Sequence, residues 1–289
     1  MARMLDLFKE DDKNREQAME RVNLRGLLAC VKAHSRKPEI MEQAFLTLHM
    51  ILDDPANDGN LPAHQQANAK TREVAGRAGV TTQIVKIVGE TAKAPAKSRT
   101  PGLLAEGIEL LTVLAPPEGD LDAKAGDVIM ATAKSATSDA KVVLLGLQYF
   151  VQALSTTSCT DAELTKRQSH CIGWKLPEFA IEAMAKHPKD YALNLAGVQT
   201  LRYVTAGTDP KVNERGQKAA EAGALKVLIE LMKVFPKPEK PAKKGSGKKL
   251  EVHLVDHCVA GIRNITACSD ELARQARELG AAQAWVAKR

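Results

Sequence analysis

The sequence predicts an all-α fold of the α-solenoid class, and three observations carry that expectation. First, a short pattern returns five times inside apolar stretches: a small residue, a large or branched apolar residue, two variable residues, then another large apolar one. The copies are Ala44-Phe45-Leu46-Thr47-Leu48, Gly107-Ile108-Glu109-Leu110-Leu111, Gly146-Leu147-Gln148-Tyr149-Phe150, Gly197-Val198-Gln199-Thr200-Leu201 and Gly261-Ile262-Arg263-Asn264-Ile265, spaced by 63, 39, 51 and 64 residues. Second, an amphipathic helical segment precedes each copy. Third, no stretch alternates with period two and β-branched enrichment, so no sheet is expected. Self-similarity at such distances marks an array of helical modules that bury their apolar faces against one another.

Taken in order, the segments preceding the copies are Val22–His34, Gly79–Lys93, Lys124–Ala136, Lys175–His187 and Gly223–Phe235. In the last, Leu225, Leu228, Ile229 and Met232 stand at i, i+3, i+4 and i+7, one stripe of a helix. Ile84, Ile87 and Val88 repeat that stripe, as do Phe179, Ala183 and Met184. Shorter polar helices are predicted at Ala67–Arg77, Val212–Ala222 and Glu271–Leu279. They run into three similar words, Arg77-Ala78-Gly79-Val80, Glu221-Ala222-Gly223-Ala224 and Leu279-Gly280-Ala281, each a glycine-bearing bend. Glycine inside a helix costs about 1 kcal/mol relative to alanine. Four of them at equivalent places therefore predict a neighbouring helix in close approach. Gly280-Ala281-Ala282-Gln283-Ala284-Trp285-Val286 reads as the second helix of a sixth, partial unit. Trp285 is expected to fold back as a cap, the alternative being that another chain covers it.

Composition narrows the function classes. An apolar content of 44% with only 3% aromatic residues suits stacked aliphatic helices and argues against an aromatic platform for single-stranded nucleic acid. No run of 18 apolar residues occurs, so no membrane span is expected. The first residues lack the character of a secretory or transit leader. Five cysteines (Cys30, Cys159, Cys171, Cys258, Cys268) follow no paired spacing. A reducing cytoplasm is the expected compartment, with the nucleus second. His170-Cys171 and His257-Cys258 are adjacent pairs, and neighbours on a helix point about 100° apart rather than at each other. Phosphate-loop, dinucleotide, zincin and nucleophile-elbow motifs are absent, so no enzyme, cofactor or metal is expected.

The stretch Lys218–Ser269, reading KAAEAGALKVLIELMKVF and then VDHCVAGIRNITACS, resembles an armadillo repeat from end to end, and the resemblance extends over about residues 20–289. It implies a right-handed superhelix of about five armadillo-like repeats plus a partial C-terminal one, a single body over 1–289. Three of the four intervals exceed the ~40–47 residues usual for armadillo and HEAT units, which leaves a HEAT or mixed solenoid open. The implied binding surface is the concave groove lined by the third helices. Counting the small residue as zero, positions −1 and +3 are expected to face it, giving Thr47, Leu110, Leu145, Tyr149, Thr200 and Asn264 as groove residues. The import adaptors of this family carry Trp at −1 and Asn at +3 in successive repeats. Asn264 alone matches, so a basic import signal is not the expected cargo.

Charge divides between the two loop edges expected of such a stack, +10 on one and −8 on the other. Half of that +10, a net +5, lies in the Lys-rich, flexible insertion 236–250, with Lys237, Lys240, Lys243, Lys244, Lys248 and Lys249. Shorter loop insertions are expected at 53–66 and 91–101. The functional expectation is a non-catalytic interaction scaffold or adaptor whose groove takes a peptide or an amphipathic helix. The alternatives are a binder of RNA, an acidic protein tail or another anionic surface through the lysine loop, and a structural subunit of a large assembly.

Overall fold

Every element of the described chain is helical, as the periodicity predicts. In this computed structural model the structure describes residues 26–27, 29, 31, 33–34, 37–52, 73, 75–77, 79–95, 101–114, 123–155, 160–236 and 253–287. The insertion with Lys237, Lys240, Lys243, Lys244, Lys248 and Lys249 lies outside the described residues, as do loop 53–66 and part of 91–101. No helix is long and apolar enough to cross a membrane, among the described residues. The chain divides into two compact units, Met1–Gly146 and Leu147–Arg289.

The first unit contains α1 (Pro38–Leu52), α2 (Val80–Lys93), α3 (Pro101–Leu114), α4 (Ala123–Ser135) and the first part of α5 (Ala140–Ser155). Helix α3 packs on α2, its partner in sequence, and on α1, while α2 packs on α4. Phe45, Leu48, Ile84, Val88, Leu104, Ile108, Leu111 and Ile129 form the core.

The second unit holds the rest of α5, then α6 (Asp161–Gly173), α7 (Leu176–Lys186), α8 (Tyr191–Val204), α9 (Val212–Glu221), α10 (Ala224–Val234), α11 (Leu254–Thr266) and α12 (Asp270–Glu278). Helices α6–α8 and α9–α11 are two successive three-helix modules in which like packs on like. The short α6 meets α9, α7 meets α10, and α8 lies along α11.

The glycines at the zero position do what their helix cost requires. A methyl at Gly107 would stand 2.6 Å from Val88 Cγ2, at Gly146 2.8 Å from Ala133 Cβ, at Gly197 2.6 Å from Met184 Sδ, and at Gly261 3.2 Å from Leu228 Cδ1. In each case the obstacle belongs to the helix just upstream, so the absent side chain is what lets the third helix cross the second closely. The bends follow the predicted words. Gly79 (φ 78°), Gly223 (φ 95°) and Gly280 (φ 94°) adopt the left-handed region that glycine enters without a Cβ clash. At the equivalent bend before α7 the residue is Lys175, with φ 57°.

Two expectations need correction. Residues 155–174, where the repeat pattern predicts no helix, contain α6. Its start is marked by a capping box: the Thr160 hydroxyl accepts from Glu163 N at 3.3 Å, and Thr160 N donates to Glu163 Oε2 at 2.8 Å. The residues this helix buries are Arg167, Gln168 and Cys171, so it carries no apolar stripe for periodicity to find. The segment after Gly280 is not a second helix of a further repeat. It is extended at Ala282, makes one 3₁₀ turn at Gln283–Trp285, and lies on α11. Arg263 Nη2 donates to Ala284 O at 2.7 Å and Ala287 N donates to the Thr266 hydroxyl at 3.1 Å. Val286 is buried and Trp285 only half-buried, so the valine does the covering assigned to the tryptophan.

Three outcomes test these backbone arguments. Gly146→Ala forces a methyl against another Cβ that has no rotamer to yield, and its thermal midpoint falls, with a loss of about 1–3 kcal/mol. Gly89→Ala meets Val128 Cγ2 only at 3.5 Å in the interior of α2 and raises the midpoint by up to about 1 kcal/mol. Lys175→Gly relieves a left-handed residue and stabilises by about 1 kcal/mol in denaturant melts. An unchanged melt for both Gly146→Ala and Lys175→Gly means these positions carry neither crowding nor strain.

Candidate binding face

The third helices expose a different stripe from the one expected. Thr47, Leu110, Tyr149 and Thr200, all at +3, are buried and not on an accessible surface. The Thr47 and Thr200 hydroxyls donate back to Gln43 O and Ala196 O in their own helices. Tyr149 stands edge-on to Phe150 at 5.4 Å in the core, which removes it as a groove anchor. Asn264 is half-buried, and its side-chain amide donates to Arg202 O at 2.9 Å across to α8. Position +3 therefore faces a neighbouring helix. Leu145 at −1 is half-buried. The accessible stripe runs through −5, −2, +2 and +5 instead: Ala192, Leu195, Gln199 and Arg202 on α8, and Asp256, Val259 and Arg263 on α11. The shift has a geometric cause: with zero turned toward the second helix, +3 turns toward the adjacent third helix.

On this face α8 and α11 bring together Gln199, Arg202, Tyr203 and His257. Arg202 Nη1 lies 2.8 Å from His257 Nδ1. Arginine has no lone pair, so Nδ1 is the unprotonated acceptor and the ring proton sits on Nε2. Gln199 Nε2 lies 3.3 Å from His257 Nε2, where the amide turned over presents its oxygen to that proton. Burial, and next the Arg202 charge, hold the His257 imidazole below its ordinary value, with Asp256 opposing them. The imidazole is thus neutral at pH 7, as the Arg202 contact requires. Tyr203 packs edge-on to His257 at 6.4 Å, and the Arg202 guanidinium carbon stands 5.2 Å from the Tyr203 ring centre. Arg202 is in no ion pair among the described residues. It is a half-exposed cation held by neutral groups.

The end of α8 is held from below by buried polar side chains of the short helices. Arg215 on α9 is 2% exposed and donates to Val204 O (2.9 Å), to Ala206 O (2.8 Å) and bidentately to Asp209 (2.9 and 2.6 Å). Gln168 on α6 donates to Tyr203 O and Ala206 O, both at 2.9 Å. Arg167, on the same helix, donates to Ala153 O at 3.1 Å near the end of α5. Carbonyls that a helix C-terminus leaves without partners thus receive charged or amide donors.

His257-Cys258 splits as its helical spacing requires. Cys258 is buried and its thiol is pushed up to about 12 by burial, and the Cys171 thiol likewise. A thiol kept protonated beside a histidine whose Nδ1 is taken by Arg202 does not make a nucleophile and base. The cluster itself escaped the sequence reading. Its signal was present in Gln199 and Arg202, polar residues three apart on an otherwise apolar helix.

No family model matches this chain, and no curated protein matches it. A solved structure described as an engineered protein from the Northeast Structural Genomics Consortium matches 96% of this chain and 76% of that chain. The identity is 13% and the TM-score 0.34, a likeness too loose to carry an argument.

Asp209 gives this support a pH signature. The hydrogen bonds from Arg215 hold its carboxyl at about 2, below the ordinary 3.8. A lowered carboxylate value means stabilisation fully present above about pH 4 and lost as pH falls through the folded value, about 2 kcal/mol in all. Asp209→Asn removes that part of the acid sensitivity. Arg215→Met strands Asp209 and two carbonyls and costs about 3–5 kcal/mol in urea melts. Identical acid melts of wild type and Asp209→Asn would refute the assignment.

Proposed function

We propose that this chain is a non-catalytic interaction scaffold of the armadillo-like solenoid class, working in the cytoplasm, and that α8 and α11 hold a segment of a partner protein. Like helices packing on like in successive modules, and left-handed glycines at their bends, support the class. The observation that carries the binding role is Arg202: a half-exposed guanidinium in no ion pair among the described residues, oriented by His257 and Tyr203, on a face that also carries Leu195, Gln199, Asp256, Val259 and Arg263. A side chain already fixed by neighbours loses little entropy on binding, and a guanidinium fork suits a carboxylate or a pair of peptide carbonyls. The favoured occupant is an extended or helical peptide with an acidic side chain at Arg202 and small apolar residues beside it.

Selection from a displayed peptide library tests this reading. Wild-type protein enriches acidic peptides, Arg202→Ala binds the selected peptides at least tenfold more weakly, and Arg202→Lys does not restore them because an ammonium lacks the planar fork. Equal binding by wild type and Arg202→Ala, with both folded by circular dichroism, removes this face from consideration.

A further inference from the structure

A second group of polar side chains, in the first unit, has the donor set and spacing of a metal site. Glu106 and Glu109 are one helical turn apart on α3, and His49 reaches them from the last turn of α1. His49 Nδ1 lies 3.7 Å from Glu106 Oε2 and 3.8 Å from Glu109 Oε2. Both distances exceed a hydrogen bond. Two ligands that share one four-coordinate divalent ion at about 2.1 Å stand about 3.4–3.7 Å apart, close to these separations.

The burial of these groups points the same way. The Glu106 side chain is 12% exposed, and its Oε2 is buried without a hydrogen-bond partner. A carboxylate oxygen in that condition carries its full desolvation cost. Lys141, at the start of α5, does not answer it. Its Nζ lies 3.8 Å from Glu106 Oε1 and 3.6 Å from Glu109 Oε1, on the other oxygens and beyond hydrogen-bond reach. One ligand atom from each of His49, Glu106 and Glu109 lies within 4.8 Å of the others, and Lys141 stands at the opposite carboxylate oxygens. His49 and Glu109 remain about a quarter exposed, which leaves a solvent side for water or a partner's carboxylate as a further ligand.

The geometry points to a binding site for a single first-row divalent ion of the zinc type, held by His49 Nδ1, Glu106 Oε2 and Glu109 Oε2. One imidazole and two carboxylates suit zinc, manganese or cobalt better than magnesium, which prefers an all-oxygen, largely hydrated shell. The site stands apart from the peptide face on α8 and α11 and does not rest on it.

The test uses full-length protein stripped with a chelator and titrated with zinc chloride by calorimetry, with cobalt absorption as a second readout. Wild type binds one equivalent. His49→Ala and Glu106→Gln each weaken that binding at least tenfold while keeping the wild-type circular dichroism spectrum. Lys141→Met, which removes a neighbouring cation without removing a ligand, binds zinc severalfold more tightly, and this variant keeps the test decisive if a ligand variant fails to fold. The proposal is overturned if wild type takes up no stoichiometric zinc. It is equally overturned if folded His49→Ala binds as wild type does, or if Lys141→Met binds no more tightly.

Discussion

Four times in this chain a third helix crosses the helix before it at a residue that has no side chain, and the other packing choices follow from that crossing. Gly107, Gly146, Gly197 and Gly261 lie against Val88, Ala133, Met184 and Leu228. Each sacrifices about 1 kcal/mol of helix propensity. In return the two helices approach closely enough for the flanking leucines, isoleucines and valines to interlock, and dense burial of that kind outweighs the local loss. The crossing also fixes the rotation of the third helix about its axis. Once the zero position is turned toward the second helix, +3 is buried or half-buried in every copy, while +2 keeps solvent access, as −2 does on α8 and α11.

Helices packed this closely end in the interior, where the last carbonyls have no water to accept from. The short helices resolve this with long polar side chains. Arg167, Gln168 and Arg215 reach the ends of α5 and α8 from one turn of α6 and one residue of α9. Arg215 is the costliest of these, a buried cation, and it is tolerated because Asp209 and two carbonyls surround it. The arrangement also positions the proposed binding face. Arg202 and Tyr203 occupy the last turn of α8, which those side chains pin, so the guanidinium is presented by a rigid helix end.

Two arginines near that helix end have opposite roles because their surroundings differ. Arg215 is neutralised by Asp209, whereas Arg202 is met by His257, whose imidazole is kept neutral by burial and by the guanidinium itself. One charge is spent internally and the other remains available. The first unit shows the inverse case: two carboxylates and an imidazole face each other across gaps too wide for hydrogen bonds, with a lysine on their far oxygens.

The sequence by itself determined the helical class, the extent of the four described second helices to within a residue or two, the glycine crossings and the glycine-bearing bends. These depend on local quantities: apolar periodicity, helix propensity and the freedom of glycine at positive φ. It concealed α6, which buries Arg167 and Gln168 rather than an apolar stripe, although Thr160 and Glu163 already announced the start. Only the tertiary structure decided which side of each third helix faces out. That choice turns on which neighbour claims each face, and a rotation of about 100°, one residue, moved Tyr149 and Thr200 into the core and brought Gln199 and Arg202 to the surface. It also decided the fate of the segment after Gly280. An alanine-rich stretch with good helix propensity takes a 3₁₀ turn because Arg263 and the Thr266 hydroxyl bind its backbone and Val286 finds a buried place on α11. Contacts between residues dozens of positions apart, such as Arg202 with His257 and His49 with Glu106, leave no periodic trace in the chain and arise only when the helices pack.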